Sequence, residues 1–243
     1  MSLSALRSAV AFLTVIPVAA DEGKPGDRLG RAYFPAVGAL LGLMAGIAFA
    51  LTAAITTPML GAVAAIAVMA MLSGGLHLDG VADAADGLFG RGDRAHRLET
   101  MRDPRVGSFG AVALIVVLLG DVAALTALSP ARAIVALVIG GALSRLAMLG
   151  VVAFVPYVRE AGLGVAAGGA NRAFDLVLGS ALAAIACLLD WRHALVAVVL
   201  VGLTAVTVAF VARRMIGGAT GDIYGATTEL CLLAALVTFA VHV

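Results

Sequence analysis

Apolar segments of near membrane-spanning length follow one another along most of the chain, at about residues 34–57, 59–78, 109–128, 131–155, 174–190, 193–212 and 226–243. Roughly 20 apolar residues carry a helix across a bilayer. A backbone in hydrocarbon must satisfy its own hydrogen bonds, so segments of this length read as helices. The sequence therefore predicts an all-α fold: a polytopic transmembrane helix bundle of about seven spanning segments plus a short N-terminal helix. Residues 1–243 read as a single integral membrane domain. Only 13% of the residues are charged, against roughly a quarter in soluble domains. The net charge of +1 gives no case for a nucleic-acid partner.

The first twenty residues admit two readings. Arg7, a short apolar run and Val18-Ala19-Ala20 have the order of a leader peptide. The alternative is a short first helix or a re-entrant segment. Cys187 and Cys231 both lie in apolar runs without a metal-site spacing and read as small core residues. No repeat relates the two halves, which weakens an inverted-repeat transporter reading. Oligomeric state stays open, with a homo-oligomer allowed.

Four connections are long and polar: 21–33, 79–108, 156–173 and 213–225. Three are tight, at Thr57-Pro58, Ser129-Pro130 and Asp190-Trp191-Arg192. If each segment crosses once, the long connections share one face. They hold Lys24, Arg28, Arg31, Arg91, Arg94, Arg97, Arg102, Arg105, Arg159, Arg172, Arg213 and Arg214; the tight turns hold only Arg132 and Arg192. Cationic loops stay cytoplasmic, so the long connections are expected there.

Asp79, Asp83 and Asp86, within "SGGLHLDGVADAADGLFG" (73–90), are spaced by four and three. On a helix they fall at about 0°, 40° and −20°, one stripe. Like charges on one stripe repel, and no Lys or Arg lies within the motif. A divalent cation with oxygen ligands answers this, and carboxylates with water and phosphate favour Mg²⁺. The alternative is a solvated acidic helix start. His77 faces another side of the helix and reads as a base, a phosphate donor or a satisfied interfacial histidine.

Two further stretches share this chemistry. In "ETMRDPRVGSFGA" (99–111), Glu99, Arg102 and Asp103 are expected on one helical face that Pro104 ends, with Gly107 and Gly110 opening the next segment. An Arg between carboxylates beside a glycine turn suits a phosphate clamp, and equally a surface helix with local ion pairs. In "RRMIGGATGDIYGATTEL" (213–230), Gly218, Thr220, Gly221, Asp222 and Glu229 lie in a glycine-rich stretch with oxygen donors, suited to phosphate and metal, or simply a flexible loop. Arg145, mid-segment, needs an anionic partner, for which Asp121 is available. Together these point to an anionic, phosphate-bearing ligand held with Mg²⁺, and to phosphoryl-type transfer.

These stretches resemble the signatures of the cobalamin-5′-phosphate synthase family, also called adenosylcobinamide-GDP ribazoletransferase: "GGLHLDGVADAADGLFG", "MRDPRVGSFG" and "GGATGDIYGATTEL". "FLTVIPV" (12–18), "YFPAVGALLG" (33–42) and "LSRLAM" (143–148) resemble its other recurring pieces, in order. The resemblance implies a multi-pass inner-membrane enzyme of late cobalamin assembly. It implies Mg²⁺-dependent joining of adenosylcobinamide-GDP to α-ribazole or its 5′-phosphate, with release of GMP. On that footing Asp79, Asp83 and Asp86 bind Mg²⁺, with Asp222 and Glu229 extending the metal site. Arg102 neutralises phosphate, with Asp103, Gly107, Arg145, Gly218, Thr220 and Gly221 about the substrate. His77, Asp83 or Asp86 takes the hydroxyl proton. "DGVADAADG" departs from the CDP-alcohol phosphotransferase pattern, which has Ala-Arg after Asp-Gly. A cation-coupled transporter would place its acids near the midplane, and a prenyl transferase would carry two Asp-rich motifs.

Overall fold

The computed structural model describes residues 3–18, 30–159 and 172–241. Most of the connections 21–33 and 156–173, with Lys24 and Arg28, lies outside the described residues. The described chain is helical: α1 (Leu3–Leu13), a single 3-10 turn (Arg31–Tyr33), α2 (Phe34–Ile55), α3 (Pro58–Leu72), α4 (Leu76–Phe89), α5 (Arg94–Thr100), α6 (Ser108–Thr126), α7 (Pro130–Phe154), α8 (Arg172–Cys187), α9 (Trp191–Ile216) and α10 (Gly221–Ala240). The short expected turns are helix starts. Pro58 and Pro130 open α3 and α7, where a missing N–H costs nothing. Asp190 caps α9 by accepting the His193 amide.

Five helical stretches are long and apolar enough to cross a bilayer, and α3 with α4 makes a sixth, bent by 90°. One of the five, Arg172–Ile216, is broken at the 3-10 turn Leu188–Asp190, where Asp190 leaves the helical region at φ −154°, ψ 80°. Its two arms run oppositely. Gly179 of α8 lies against Leu149 near the end of α7, whereas His193 of α9 meets Arg132 near the start of α7. At the far end of α9, Ala219 pairs with Tyr157, just past the end of α7. That stretch is thus two passages, which accounts for the difference from the seven segments expected.

The expected segment 59–78 is corrected. Its helix ends at Leu72, and Gly74 and Gly75 take φ of +63° and +71°, the left-handed region that glycine occupies freely. The chain then restarts as α4, turned across the bundle. Hydropathy reads through this turn because Leu76 and Leu78 continue the apolar run.

Helices α7 and α10 form the centre: 67% and 72% of their apolar windows are buried, against 22–33% for the other long stretches. Lipid chains are as apolar as leucine, so close backbone packing does the work that the hydrophobic effect does in water. Gly38 of α2 and Gly141 of α7 show it. A methyl on Gly141 would lie 2.2 Å from the Gly38 carbonyl oxygen. At the same end of the bundle as Gly30, a buried ion pair of 2.7 Å joins Arg31 to Asp175 of α8. At the opposite end Arg132 reaches the Phe239 carbonyl and His193, and His193 faces Asp190 at 2.8 Å.

Candidate active site

Helix α4 lies on α10 with almost no side chain between them. A methyl on Gly80 would sit 2.9 Å from the Asp222 carbonyl oxygen and 3.1 Å from the Gly225 Cα. This contact sets the Asp222 side chain beside α4. Asp79 is exposed and Asp83 half-buried on the one stripe. Asp79, Asp83 and Asp222 lie within electrostatic range of one another, and Arg159 is in range of both Asp83 and Asp222. Arg159 donates to Asp222 at 2.7 Å and to the Met101 carbonyl at 3.2 Å. Thr220 caps α10 and donates to Asp222 at 3.1 Å.

Asp86 is placed differently from its two stripe-mates. It is buried, and both its oxygens accept backbone amides at the start of α6, from Gly107 at 2.7 Å and Gly110 at 2.9 Å. A carboxylate here answers the unsatisfied N–H groups and positive end of that helix. Gly107 thereby serves Asp86 through its amide.

Glu229 stands seven residues beyond Asp222 on α10, roughly 10 Å further into the bundle. The structure groups it with His77 and Arg145 rather than with Asp222. His77 Nδ1 lies 3.7 Å from Glu229 Oε1 and 3.4 Å from an Arg145 terminal nitrogen. Arg145 is completely buried and also donates to Ser144 Oγ at 3.1 Å. The expected Arg145–Asp121 pairing is therefore replaced by Arg145 with His77 and Glu229. Asp121 is buried and, with Glu229, lines a cavity of about 20 Å³.

The expected helical face of Glu99, Arg102 and Asp103 does not form. Helix α5 ends at Thr100, and residues 101–103 make a turn. Pro104 bars the helical region to the residue before it, and the chain has already left the helix by then. Arg102 is exposed on this turn. Asp103 pairs with Arg105 at 2.6 Å, and the hydrogen bonds from that guanidinium and the Arg105 amide hold its carboxyl down to about 2. Gly218 packs on Pro156, where a methyl would lie 2.1 Å from the carbonyl oxygen. Gly221 has open space where a side chain would go and borders the cavity described next.

That cavity, of about 180 Å³, is lined by His77, Asp79, Arg159 and Asp222 and also by Phe12, Phe34, Tyr157 and Tyr224. Spacing in the sequence singles out neither Arg159 nor these aromatic residues. Arg159 follows a helix end, and its partner is 63 residues away. Only its place in a cationic connection hints at a role.

Among the described residues, no three His, Cys, Asp or Glu side chains converge into a ready-made metal site. Mg²⁺ typically keeps several waters and takes one or two carboxylates together with substrate phosphates. Rim acids such as Asp79, Asp83 and Asp222 fit that mode, in which substrate completes the coordination.

A family model described as cobalamin-5-phosphate synthase matches residues 5–240. The adenosylcobinamide-GDP ribazoletransferase of Stutzerimonas stutzeri (strain A1501) is 38% identical over 241 residues, covering 98% of each chain. That of Azorhizobium caulinodans is 38% identical over 255 residues, covering 99% of this chain and 96% of the relative. That of Pseudomonas syringae pv. syringae (strain B728a) is 40% identical over 244 residues, covering 96% and 97%. No solved structure matches. A multi-pass helical bundle with this acidic rim and these relatives is a membrane transferase. The chain belongs to the cobalamin-5-phosphate synthase family.

Proposed function

We propose that the protein transfers the phosphocobinamide group of adenosylcobinamide-GDP to α-ribazole or α-ribazole 5′-phosphate, in the late steps of cobalamin biosynthesis. The products are adenosylcobalamin or its 5′-phosphate, and GMP. The observation that carries this reading is the set Asp79, Asp222 and Arg159 lining one cavity, with Asp83 within electrostatic range of all three, in a chain of this family.

The acceptor's ribose hydroxyl oxygen attacks the phosphorus that bears the aminopropanol arm. A new P–O bond forms, the bond to the bridging oxygen breaks, and GMP leaves. Mg²⁺ bound with the diphosphate supplies charge neutralisation to the phosphoryl oxygens. Asp79 and Asp222 would hold it. Arg159, anchored on Asp222, presents fixed positive charge at the same wall. His77 Nδ1 is turned to the Arg145 guanidinium and the Glu229 carboxylate, inside the bundle. The hydroxyl proton then passes to a rim carboxylate, and Asp83, half-buried between Asp79 and Asp222, is the one assigned.

The site shares its end of the bundle with the Arg-rich connections, so the reading places it at the cytoplasmic face of the inner membrane. Purified protein with adenosylcobinamide-GDP, α-ribazole 5′-phosphate and Mg²⁺ tests it, following corrinoid products by mass. The expected result is GMP release that Asp83→Asn abolishes at normal expression. Full activity in that variant would remove Asp83 from the chemistry, and no corrinoid product from the unaltered protein would end the proposal.

A further inference from the structure

The cavity has two unlike kinds of lining. Besides the acids it holds two pairs of aromatic rings. Phe12 and Phe34 are stacked, with centroids 5.6 Å apart and planes within 6°. Tyr157 and Tyr224 are 6.0 Å apart at 30°. Phe34 and Tyr224 are buried, with Phe34 at 0% exposure. Phe12 and Tyr157 are half-buried, so part of each remains open to an incoming group. Met148 adds a polarisable thioether to the same cavity.

Size decides what can enter. A cavity of roughly 150 Å³ takes a benzene ring. About 180 Å³ suits a compact flat ring system, well below the several hundred Å³ that bury a large ligand. A corrin macrocycle does not fit. Rings prefer offset-stacked or edge-on partners within about 7 Å, and half-buried Phe12 and Tyr157 present that opportunity.

We propose that this aromatic wall is the subsite for the flat base of the acceptor nucleoside, and that the corrinoid stays outside the cavity. The inference rests on the transferase reading above and adds which substrate is buried. With the base against Phe12 and Tyr157, the ribose lies toward Asp79 and Asp222, which line the same cavity. Helix α1 gains a function from this: it brings Phe12 to the cavity. Tyr157 is held independently of its ring, because Pro156 and Val158 bond to Ala219 through backbone at 2.8 and 3.0 Å. Leucine at 157 therefore removes the ring and leaves the chain path.

Initial rates of GMP release by unaltered full-length protein, Phe12→Leu and Tyr157→Leu test the assignment, with each substrate varied in turn. Each substitution is expected to raise the KM for α-ribazole 5′-phosphate about tenfold, while the KM for adenosylcobinamide-GDP stays within about twofold. Ribose 5-phosphate, which lacks the base, serves as a competitor whose inhibition constant should not move in either variant. An unmoved acceptor KM, a rise in the donor KM instead, or equal weakening of both acceptor and competitor would each overturn the assignment.

Calorimetry with α-ribazole alone reads the wall without turnover. Binding that weakens in both variants supports the subsite even if the unaltered protein releases no GMP, an outcome that would sink only the transferase reading. Turnover by the unaltered protein, with α-ribazole binding indifferent to both substitutions, would do the reverse.

Discussion

Asp86 on α4 and Gly107 at the start of α6 are joined by a 2.7 Å hydrogen bond from backbone amide to carboxylate. With Gly110 on the second oxygen, one side chain fixes the start of a helix 21 residues further along the chain. Asp86→Ala leaves the Gly107 amide and the buried Gly110 amide without partners. We expect a loss of about 2 kcal/mol, read as a lower midpoint of thermal unfolding in detergent. Asp83→Asn, by contrast, should leave that midpoint unchanged, since Asp83 makes no comparable bond among the described residues.

The crossing of α2 and α7 leaves no room at Gly141. Gly141→Ala pushes a methyl into the Gly38 backbone and should cost about 1–3 kcal/mol. Gly150, also on α7, meets nothing within 4 Å, so Gly150→Ala should be silent in the same measurement.

Arg145 is buried with Glu229 in its field and His77 beside it. Arg145→Met strands a buried carboxylate and should destabilise by about 3–5 kcal/mol. The double variant Arg145→Met/Glu229→Met removes both partners and should recover part of that loss. A double variant no more stable than Arg145→Met would show that the two side chains are not coupled.

The proposed function carries an expected dependence on Mg²⁺. Chelation with EDTA should stop GMP release and added Mg²⁺ should restore it. Asp79→Asn and Asp222→Asn should each raise the Mg²⁺ concentration for half-maximal rate by about tenfold. Asp103→Asn, whose carboxylate is engaged by Arg105 on an exposed turn, should leave that concentration where it was.

Periodic features are legible in the amino-acid sequence alone. The carboxylate stripe follows from four-and-three spacing, and α4 is indeed one helix through Asp79, Asp83 and Asp86. The turns at Thr57-Pro58 and Ser129-Pro130 follow from proline's fixed geometry. Contacts decided between segments distant in sequence are not legible in this way. Spacing cannot show that Asp86 serves α6, that Glu229 sits with Arg145, or that Arg159 meets Asp222. The α3–α4 bend is marked by Ser73-Gly74-Gly75, but leucines on both sides mask it. The expected face of Glu99, Arg102 and Asp103 fails because α5 stops at Thr100, before the spacing can operate.

The 90° bend between α3 and α4 has a consequence for how such a protein meets its substrates. A carboxylate stripe on an upright helix would be stepped through the depth of the bilayer. Turned from α3, α4 starts beside Glu229 and brings the stripe out to Asp222 at one end of the bundle. On the proposed function, a large amphiphile could then approach along the membrane plane and a small polar one from water, with neither having to cross.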